Sequence, residues 1–444
     1  MTARGLPWRR PRHEVLALAL VAVVACSVVQ RINVQDESRT CQIRAFVHAR
    51  LTIGDCIGQT LDRSRYHGRL YSNEAPGMAL LEIPAYEIAR PPLPSGWHAE
   101  GDLRVWSERL LCSGLCFVLC AFLLGRVAEG LAPGFGAASL VTLSLGTLMS
   151  TLAVTNFDHV PAAAIGLAAF VLLWGRSPLA AGLTGGLALL VEYEAAAIVV
   201  ALAAYAAWLG RHTLARYAVG AVPGVVLLGA DDWAAFGAPW HNPLRYSDNV
   251  YRAEHAKGLL GIEAPSPHAT WLVLAGNRGL LLTSPVLVMA AAGLYLLWRR
   301  GFRAEALVCA AVTAAFLLAE CGYFDPYGGG SPGPRYFVPA LPFLAVGLGP
   351  AFARWPRLTS VLAAASVVAT TALLLTWGSI WSYPGTVWKQ VYDVVVQRGD
   401  SLLVADLAKN IVVWAGPSRL QAAALVCGLA AATLALTLAR PRRR

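Results

Sequence analysis

The sequence predicts an all-α polytopic membrane protein. We expect a single integral membrane domain, residues 1–444, with about 12 transmembrane helices and a large first extracytoplasmic loop. Three observations support this fold class. Apolar residues make up 57% of the chain and charged residues only 14%, whereas soluble domains carry about 25% charged residues. Continuous apolar runs near the ~20 residues that cross a bilayer recur along the whole chain. Basic residues fall in every second short connection, as the positive-inside rule requires of cytoplasmic loops.

These basic residues set the predicted orientation. They are Arg4, Arg9, Arg10, Arg12, Arg126, Arg176, Arg211, Arg216, Arg299, Arg300, Arg303, Arg354, Arg357, Arg440, Arg442, Arg443 and Arg444. Both termini are therefore predicted to be cytoplasmic, in a multi-pass protein of the plasma (inner) membrane. The net charge of +10 reflects this topology and contact with anionic lipids, and nothing in the sequence suggests nucleic-acid binding.

The first half of the chain begins with a predicted span at 14–30, followed by a polar run at 31–107. We expect this run to fold as short helices on the outer side. Spans 2 to 7 are predicted at 108–128, at 135–154, from Pro161 to Trp174, twice within 178–209, and at 214–230. The run 178–209 is too long for one helix, so Glu192-Tyr193-Glu194 is predicted to be the outer turn that divides it.

The second half begins with an outer loop at 231–276. Spans 8 to 11 are predicted at 279–298, 304–320, 336–353 and 358–377, so that spans 2 to 11 together occupy 108–377. The segment 378–417 is predicted to lie in the outer interface, because Trp388, Val391 and Val395 recur at helical spacing. Span 12 is predicted at 419–438.

Two cysteines lie in the large outer loop. Cys41 and Cys56 would both face an oxidising compartment, where a disulfide can form. The sequence alone leaves open whether they pair.

Unusual polar residues gather on the predicted outer side. They are Asp36, Glu37, the stretch from Tyr71 to Glu87, Asp158, His159, Glu192, Glu194, Arg278 and Arg335. Charge near a bilayer is costly, so ionisable groups there are candidates for function. A site on one side suits chemistry at the outer interface, whereas a transporter needs polar groups through the middle of the membrane.

Each of these groups also has a structural interpretation. Asp36-Glu37 can cap the next helix, and Asp158-His159 can be a solvated turn. Glu192 and Glu194 are interpreted as turn residues and Glu74 as a surface charge. The stretch from Tyr71 to Leu81 can be structural, because Pro76-Gly77 fixes a bend. Arg335 can simply extend to the lipid headgroups.

Three motifs together resemble one group of membrane enzymes. A carboxylate pair follows the first span, the large loop contains Tyr71-Ser72-Asn73-Glu74-Ala75-Pro76-Gly77, and a late span begins with Gly333-Pro334-Arg335-Tyr336. This arrangement, with Arg278-Gly279-Leu280 ahead of the eighth span, resembles the GT-C glycosyltransferases, which include protein O-mannosyltransferases and the lipid A aminoarabinose transferase. The likeness is greatest to bacterial members with a Tyr-Ser-Asp-Lys-Ala-Pro-Gly motif.

The resemblance implies an activity. The donor would be a sugar on a polyprenyl phosphate, and the acceptor a glycan, lipid or protein of the cell envelope. The reaction would invert the anomeric centre at an extracytoplasmic site. Membrane lipids and these substrates are the expected partners. No cofactor is certain, and the sequence assigns no metal ligand.

The resemblance also implies roles for particular residues. Asp36 would be the catalytic base, Glu37 would orient it or the acceptor, and Asp158 or His159 would complete the site. Arg335 would bind the donor phosphate, with Arg278 as the second choice. Tyr71, Glu74, Pro76 and Gly77 form the loop motif. Glu74 departs from the relatives, which carry a lysine there that helps to hold the donor phosphate.

Two other functions remain open. A lipid or sugar transporter or flippase would require charges inside the spans or an inverted repeat, and neither is clear in the sequence. A non-catalytic envelope-assembly protein derived from a transferase is kept open by Glu74.

Overall fold

The computed structural model describes residues 12–27, 33–54, 56, 60–88, 103–376, 387–392 and 419–438. Its helices are α1 (Arg12–Ser27), α2 (Val34–Val47), α3 (Pro76–Ile88), α4 (Leu103–Arg109), α5 (Leu115–Leu131), α6 (Gly136–Leu145), α7 (Met149–Leu152), α8 (His159–Trp174), α9 (Pro178–Val191), α10 (Ala196–Leu209), α11 (Arg211–Phe236), α12 (Arg252–His255), α13 (Pro267–Ala275), α14 (Leu280–Thr283), α15 (Leu287–Arg299), α16 (Arg303–Gly322), α17 (Leu341–Ala345), α18 (Leu348–Arg354), α19 (Pro356–Thr376), α20 (Val387–Tyr392) and α21 (Arg419–Leu438). The predicted all-α class is confirmed, and one short hairpin is the exception. Short 3₁₀ turns lie at Tyr193–Ala195, Pro243–Tyr246 and Arg335–Ala340.

Several helices are suited to a bilayer. Within the described residues, four helices are long and apolar enough to cross one, or six if each of two bent helix pairs crosses as one span. Six shorter apolar helices accompany them. The predicted eighth span is one of the bent pairs: Pro267–Thr283 meets Leu287–Arg299 at 88°. The sequence missed this bend because it took the apolar residues of α13 for part of a loop.

The predicted interfacial segment 378–417 lies largely outside the described residues. The exception is α20, which packs Trp388 and Val391 against Leu373 of α19. Val395 falls outside the described part.

The polar run at 31–107 is called the outer polar run below, after its predicted side. Its described part contains α2, α3, the start of α4 and a hairpin. The sequence analysis expected short helices here and did not expect the antiparallel strands β1 (Arg63–Tyr66) and β2 (Arg69–Ser72). Arg63 pairs with Ser72, and Tyr66 pairs with Arg69. The two-residue turn His67-Gly68 has positive φ at both positions, 46° and 77°, as hairpin turns of this kind require.

Three contacts dock this run onto the rest of the chain. Cys41 and Cys56 form a disulfide with a Cα–Cα distance of 5.5 Å, which ties the loop after α2 to that helix. Tyr71 of β2 is buried against Phe236 at the end of α11, with ring centroids 5.2 Å apart. Gly77, in the first turn of α3, lies so close to α9 that a Cβ there would be 2.5 Å from the Leu190 carbonyl oxygen.

The main apolar core lies among α5, α6, α8 and the bent α17–α18 segment. Phe117, Leu140, Phe170 and Phe343 are fully buried in it. This core fixes the N-terminal end of α8, where Asp158 and His159 lie.

Candidate active site

A cavity of about 560 Å³ opens between the outer polar run and the helix bundle. Its walls come from the start of α2, the Asn73–Ala75 stretch, the start of α8, the turn between α9 and α10, the end of α16 and the glycine-rich loop 328–331. Five of the charged or ionisable residues singled out from the sequence line it: Glu74, Asp158, His159, Glu194 and Arg335. Asp36, Glu37, Tyr71, Pro76, Gly77 and Arg278 are not among its lining residues.

Asp158 lies at the centre of one wall. It immediately precedes α8, its side chain makes no cap to that helix, and it is 4% exposed. Its Oδ2 accepts a hydrogen bond from Nη2 of Arg39 at 2.8 Å. Arg39 is fully buried, and the same nitrogen lies 3.3 Å from Glu74 Oε2. One guanidinium is therefore shared by two carboxylates that face the cavity.

Gln35 completes this group. Its Nε2 donates to Glu74 Oε2 at 3.1 Å and lies 3.4 Å from Asp158 Oδ1. Gln35 and Arg39 are four residues apart on α2, so they lie on the same face of the helix. This face presents two hydrogen-bond donors to the two carboxylates.

Glu74 is not the surface charge predicted from the sequence. Burial raises the pKa of its carboxyl group well above the ordinary value, repulsion from Asp158 raises it further, and Arg39 opposes both. The acid that replaces the relatives' lysine is thus built into an ion-pair network at the cavity wall.

His159 is adjacent to Asp158 and contacts a second carboxylate. Its Nδ1 lies 2.7 Å from Glu192 Oε1, and both side chains are buried. Its Nε2 is buried without a hydrogen-bond partner, in a ring that lines the cavity. Glu192 does lie at the predicted turn after α9, but it also orients this imidazole.

Arg335 also lines the cavity and lies at the start of the 3₁₀ turn Arg335–Ala340. Its guanidinium carbon lies 4.6 Å from the centroid of the Phe157 ring, and its Nη2 donates to the Tyr336 hydroxyl at 3.0 Å. Among the described residues, no carboxylate oxygen lies within 4.0 Å of a guanidinium nitrogen of Arg335, so this arginine forms no ion pair there. Because Phe157 precedes Asp158 in the chain, the arginine and the carboxylate lie at neighbouring points of the wall.

Arg278 has a different role. Its Nη1 donates to the carbonyl oxygens of Gly329 at 3.1 Å and Ser331 at 2.8 Å, and its guanidinium lies over the Tyr327 ring. Asp325 accepts a hydrogen bond from the backbone of Gly329 at 2.6 Å. Arg278 therefore braces the glycine-rich loop, which carries cavity-lining residues.

The structure favours a positioning role for Asp36. It is fully buried, and its Oδ2 accepts from the Asn33 backbone in a capping box at the start of α2. Arg109 binds both its oxygens, and the backbone N–H of Asn156 donates to Oδ1 at 3.0 Å. This arrangement matches the alternative that Asp36 caps a helix, and it does not fit a base that must reach a substrate. Glu37, the next residue on α2, is half-buried.

Asp62, Glu194, Glu320 and Asp325 also line the cavity. Burial raises the pKa of Asp62, while the nearby charge of Arg335 lowers it. Glu194, in the turn between α9 and α10, has a pKa raised to about 8, first by burial and next by repulsion from Glu192. The cavity is rich in carboxyl groups and has Arg335 as its lining guanidinium.

Three buried side chains near the cavity carry atoms of the kind that bind metal ions. Asp158, His159 and Glu192 each place one ligand atom within 4.8 Å of the others. However, Glu192 already contacts Nδ1 of His159, and Arg39 already binds Asp158. One ligand atom of each side chain is therefore already engaged, whereas Nε2 of His159 and Oε2 of Glu192 have no partner among the described residues, and we assign no metal ligand.

Sequence reasoning missed Arg39, Asp62 and Glu320 as site residues. Arg39 lies three residues after Asp36, and its signal was the spacing of four residues from Gln35. Asp62 and Glu320 gave no signal of their own, because their places in the cavity depend on the hairpin and on the packing of α16.

No protein-family model matches this sequence, and neither does any curated protein. Solved structures match it in fold. The crystal structure of ArnT from Cupriavidus metallidurans bound to undecaprenyl phosphate superposes with a TM-score of 0.53 at 17% identity, over 97% of this chain and 77% of ArnT. The Archaeoglobus fulgidus oligosaccharyltransferase in its apo form superposes with a TM-score of 0.52 at 11% identity, over 88% of this chain and 59% of the enzyme. At these identities the likeness establishes a shared fold.

Proposed function

We propose that this chain, which has the GT-C membrane fold, is a glycosyltransferase that moves a sugar from a polyprenyl phosphate to an acceptor of the cell envelope. The observation that carries the proposal is that Arg335 and Asp158 line the same cavity. Arg335 lies over the ring of Phe157, the residue that precedes Asp158. An unpaired guanidinium suits a phosphate, and a carboxylate beside it suits the acceptor hydroxyl. The undecaprenyl phosphate bound to ArnT supports the same class of donor.

Arg335 binds the donor phosphate in this proposal. The guanidinium is held between Phe157 and Tyr336, so its orientation is fixed before the donor arrives. Two parallel N–H groups match two phosphate oxygens. Pre-organised positive charge then stabilises the phosphate as it leaves.

Asp158 takes the role that the sequence gave to Asp36. The acceptor hydroxyl attacks the anomeric carbon, the bond from that carbon to the phosphate oxygen breaks, and the Asp158 carboxylate accepts the hydroxyl proton. Arg39 and Gln35 hold the carboxylate in place, and Asp36 positions the turn before it through the Asn156 backbone. His159 adjoins the base, and its free Nε2 faces the same cavity.

The test is the loss of a product from the native host. Envelope glycans, lipids and proteins of a strain lacking the gene are compared by mass spectrometry with the parent strain, and the missing glycoform identifies the product. Complementation with Asp158→Asn should fail to restore it, because the amide keeps the size but not the basicity. Asp248→Asn is the control, since that residue contacts Arg65 outside the cavity. Full complementation by Asp158→Asn would refute this base.

A second candidate is a non-catalytic assembly protein, favoured by Glu74. Restoring lysine at this position is informative, but the structure complicates the experiment. Glu74→Lys places a second cation beside the buried Arg39, so the variant should be less stable. A gain of transfer in a folded Glu74→Lys variant would favour the assembly protein over the transferase, because the natural chain would then lack a group that transfer needs.

The proposed topology puts the cavity on the extracytoplasmic side of the plasma membrane, with both termini in the cytoplasm. Reporter fusions after Trp97 and after Arg303 should therefore report opposite sides. The same side for both would contradict this topology.

A further inference from the structure

Glu320, near the end of α16, is a buried acid that the proposed transfer step does not use. Its side chain is fully buried and lines the cavity. Among the described residues, no donor meets hydrogen-bond geometry to either carboxyl oxygen, although the backbone N–H of Phe337 lies near the group. A buried polar group without a partner destabilises the folded protein, so such a group in a cavity wall points to a ligand.

Other unsatisfied groups face the same space. Ser331 and His159 line the cavity, and each residue is 3% exposed. The Ser331 hydroxyl and Nε2 of His159 have no hydrogen-bond partner among the described residues. Arg335 Nε is also without a partner. These atoms come from three separate elements. The missing hydrogen-bond partners are therefore a property of the cavity as a whole and not of one poorly packed side chain.

Glu194 lies close enough to Glu320 for their charges to repel each other. It lies in the turn before α10, while Glu320 is near the end of α16, and both line the cavity. Tyr323 and Tyr336 lie beside them with ring centroids 4.9 Å apart. Carboxyl groups next to aromatic rings provide hydrogen bonds and an apolar face, and a sugar ring offers both counterparts.

The electrostatics favour an uncharged ring over an ammonium group. Because the pKa of Glu194 is about 8, most copies of this carboxyl group are protonated at neutral pH. A protonated carboxyl group both donates and accepts, as a hydroxyl does, but it offers an ammonium group no charge attraction.

We propose that Glu320 and Glu194 form a subsite that binds the hydroxyl groups of an uncharged sugar ring. This inference rests on the proposed glycosyl transfer and names the class of sugar. The ring lies against Tyr323 and Tyr336, its hydroxyls satisfy Glu320, and Arg335 remains available for the phosphate.

The test uses the full chain in lipid nanodiscs and saturation-transfer NMR. The probes are the neutral sugars D-glucose, D-galactose, D-mannose and D-arabinose, with D-glucosamine as the cationic comparison. At least one neutral sugar should receive saturation from the wild-type protein. Glu320→Leu should weaken its binding at least about tenfold, because a site built for a hydroxyl loses its partner. Glu320→Gln should stay within about threefold, because the amide also donates and accepts.

Control variants distinguish a loss of sugar binding at the subsite from misfolding and from the general loss of an acidic residue. Glu263→Leu and Glu263→Gln change an exposed acid that does not line the cavity and should leave binding unchanged. Undecaprenyl phosphate binding, measured on the same samples, should survive in Glu320→Leu and shows that the variant is folded. Glu194→Leu provides a second variant for which the same loss is expected.

Three results would overturn the subsite. They are unchanged binding in both leucine variants, binding of D-glucosamine without any neutral sugar, and no binding of any probe to the wild-type protein. Failure of the wild-type protein to bind undecaprenyl phosphate would instead count against the proposed transferase, so the two failures are distinguishable.

Discussion

Arg109, the last residue of α4, binds Asp36 of α2 through two N–H groups. Its Nη2 lies 2.7 Å from Oδ2 and its Nε lies 3.2 Å from Oδ1. Asp36 also accepts hydrogen bonds from the backbone of Asn33 and Asn156. This one carboxylate therefore joins the outer polar run, the start of the long α4–α5 helix and the turn that carries Asp158.

We predict that the primary effect of Asp36→Asn is a loss of protein stability, and that any loss of turnover follows from it. The amide removes the charge that faces the buried Arg109, and breaking a buried ion pair costs about 3–5 kcal/mol. The thermal midpoint of the purified protein should fall, and Asp36→Asn combined with Arg109→Met should recover part of the loss. A normal midpoint with abolished transfer would restore Asp36 as the base.

We predict that Arg335→Gln weakens the binding of undecaprenyl phosphate at least about tenfold, which corresponds to about 1.4 kcal/mol. Arg335→Lys should also weaken it, since lysine keeps the charge but loses the two parallel donors. The measurement is titration of the lipid into nanodiscs that contain each variant. Arg252→Gln is the control, because this arginine is exposed on the outer loop and does not line the cavity. An affinity equal to the wild type in both Arg335 variants would assign Arg335 to a purely structural role.

We predict that Gly77→Ala loosens the outer run. A Cβ there would lie 2.5 Å from the carbonyl oxygen of Leu190 and 2.8 Å from the nitrogen of Val191, and both are backbone atoms that cannot turn aside. Forcing an extra methyl group into such a contact costs roughly 1–3 kcal/mol. Limited proteolysis in intact membranes should cut the run faster than in the wild type.

Gly54→Ala is the matched control. It lies in the same outer run and has no heavy atom within 4 Å of an added Cβ. Equal proteolysis of the two variants would show that the close approach of α3 to α9 does not dock the run.

The sequence predicted most helices because their signal is local. An apolar run such as that of α5 or α16 predicts a helix from its own residues. The hairpin at Arg63–Ser72 was missed because its strands are short and polar. The site was harder to predict for the same reason. The cost of charge near a bilayer marked Asp36 as unusual, but its partner Arg109 lies 73 residues further along the chain.

The same limit applies to Glu192. It was interpreted as a turn residue, and the imidazole that it orients belongs to a different helix. Asp158, His159 and Arg335 were singled out from the sequence because each lies in a short motif at a predicted span end. Their grouping in one cavity is a property of the packing of α8, α16 and the glycine-rich loop.

The last prediction concerns pH and Glu194. The folded protein holds the pKa of this carboxyl group at about 8, above its ordinary value of 4.5, chiefly because the group is buried. Between these two values the folded state binds more protons than the unfolded state, so stability falls as pH rises. The contribution is fully present below the unfolded pKa and is lost as pH passes through the folded pKa.

Glu194→Gln removes this titration while keeping the shape of the protonated acid. The difference in thermal midpoint, variant minus wild type, should be small near about pH 5 and should grow by several degrees towards about pH 9. Other groups that titrate equally in both proteins cancel in this difference. Glu263→Gln, which removes an exposed carboxylate, should give a flat difference over the same range. A flat difference for Glu194→Gln as well would show that Glu194 is ionised in the folded protein at neutral pH, and the uncharged sugar subsite would then lose its electrostatic support.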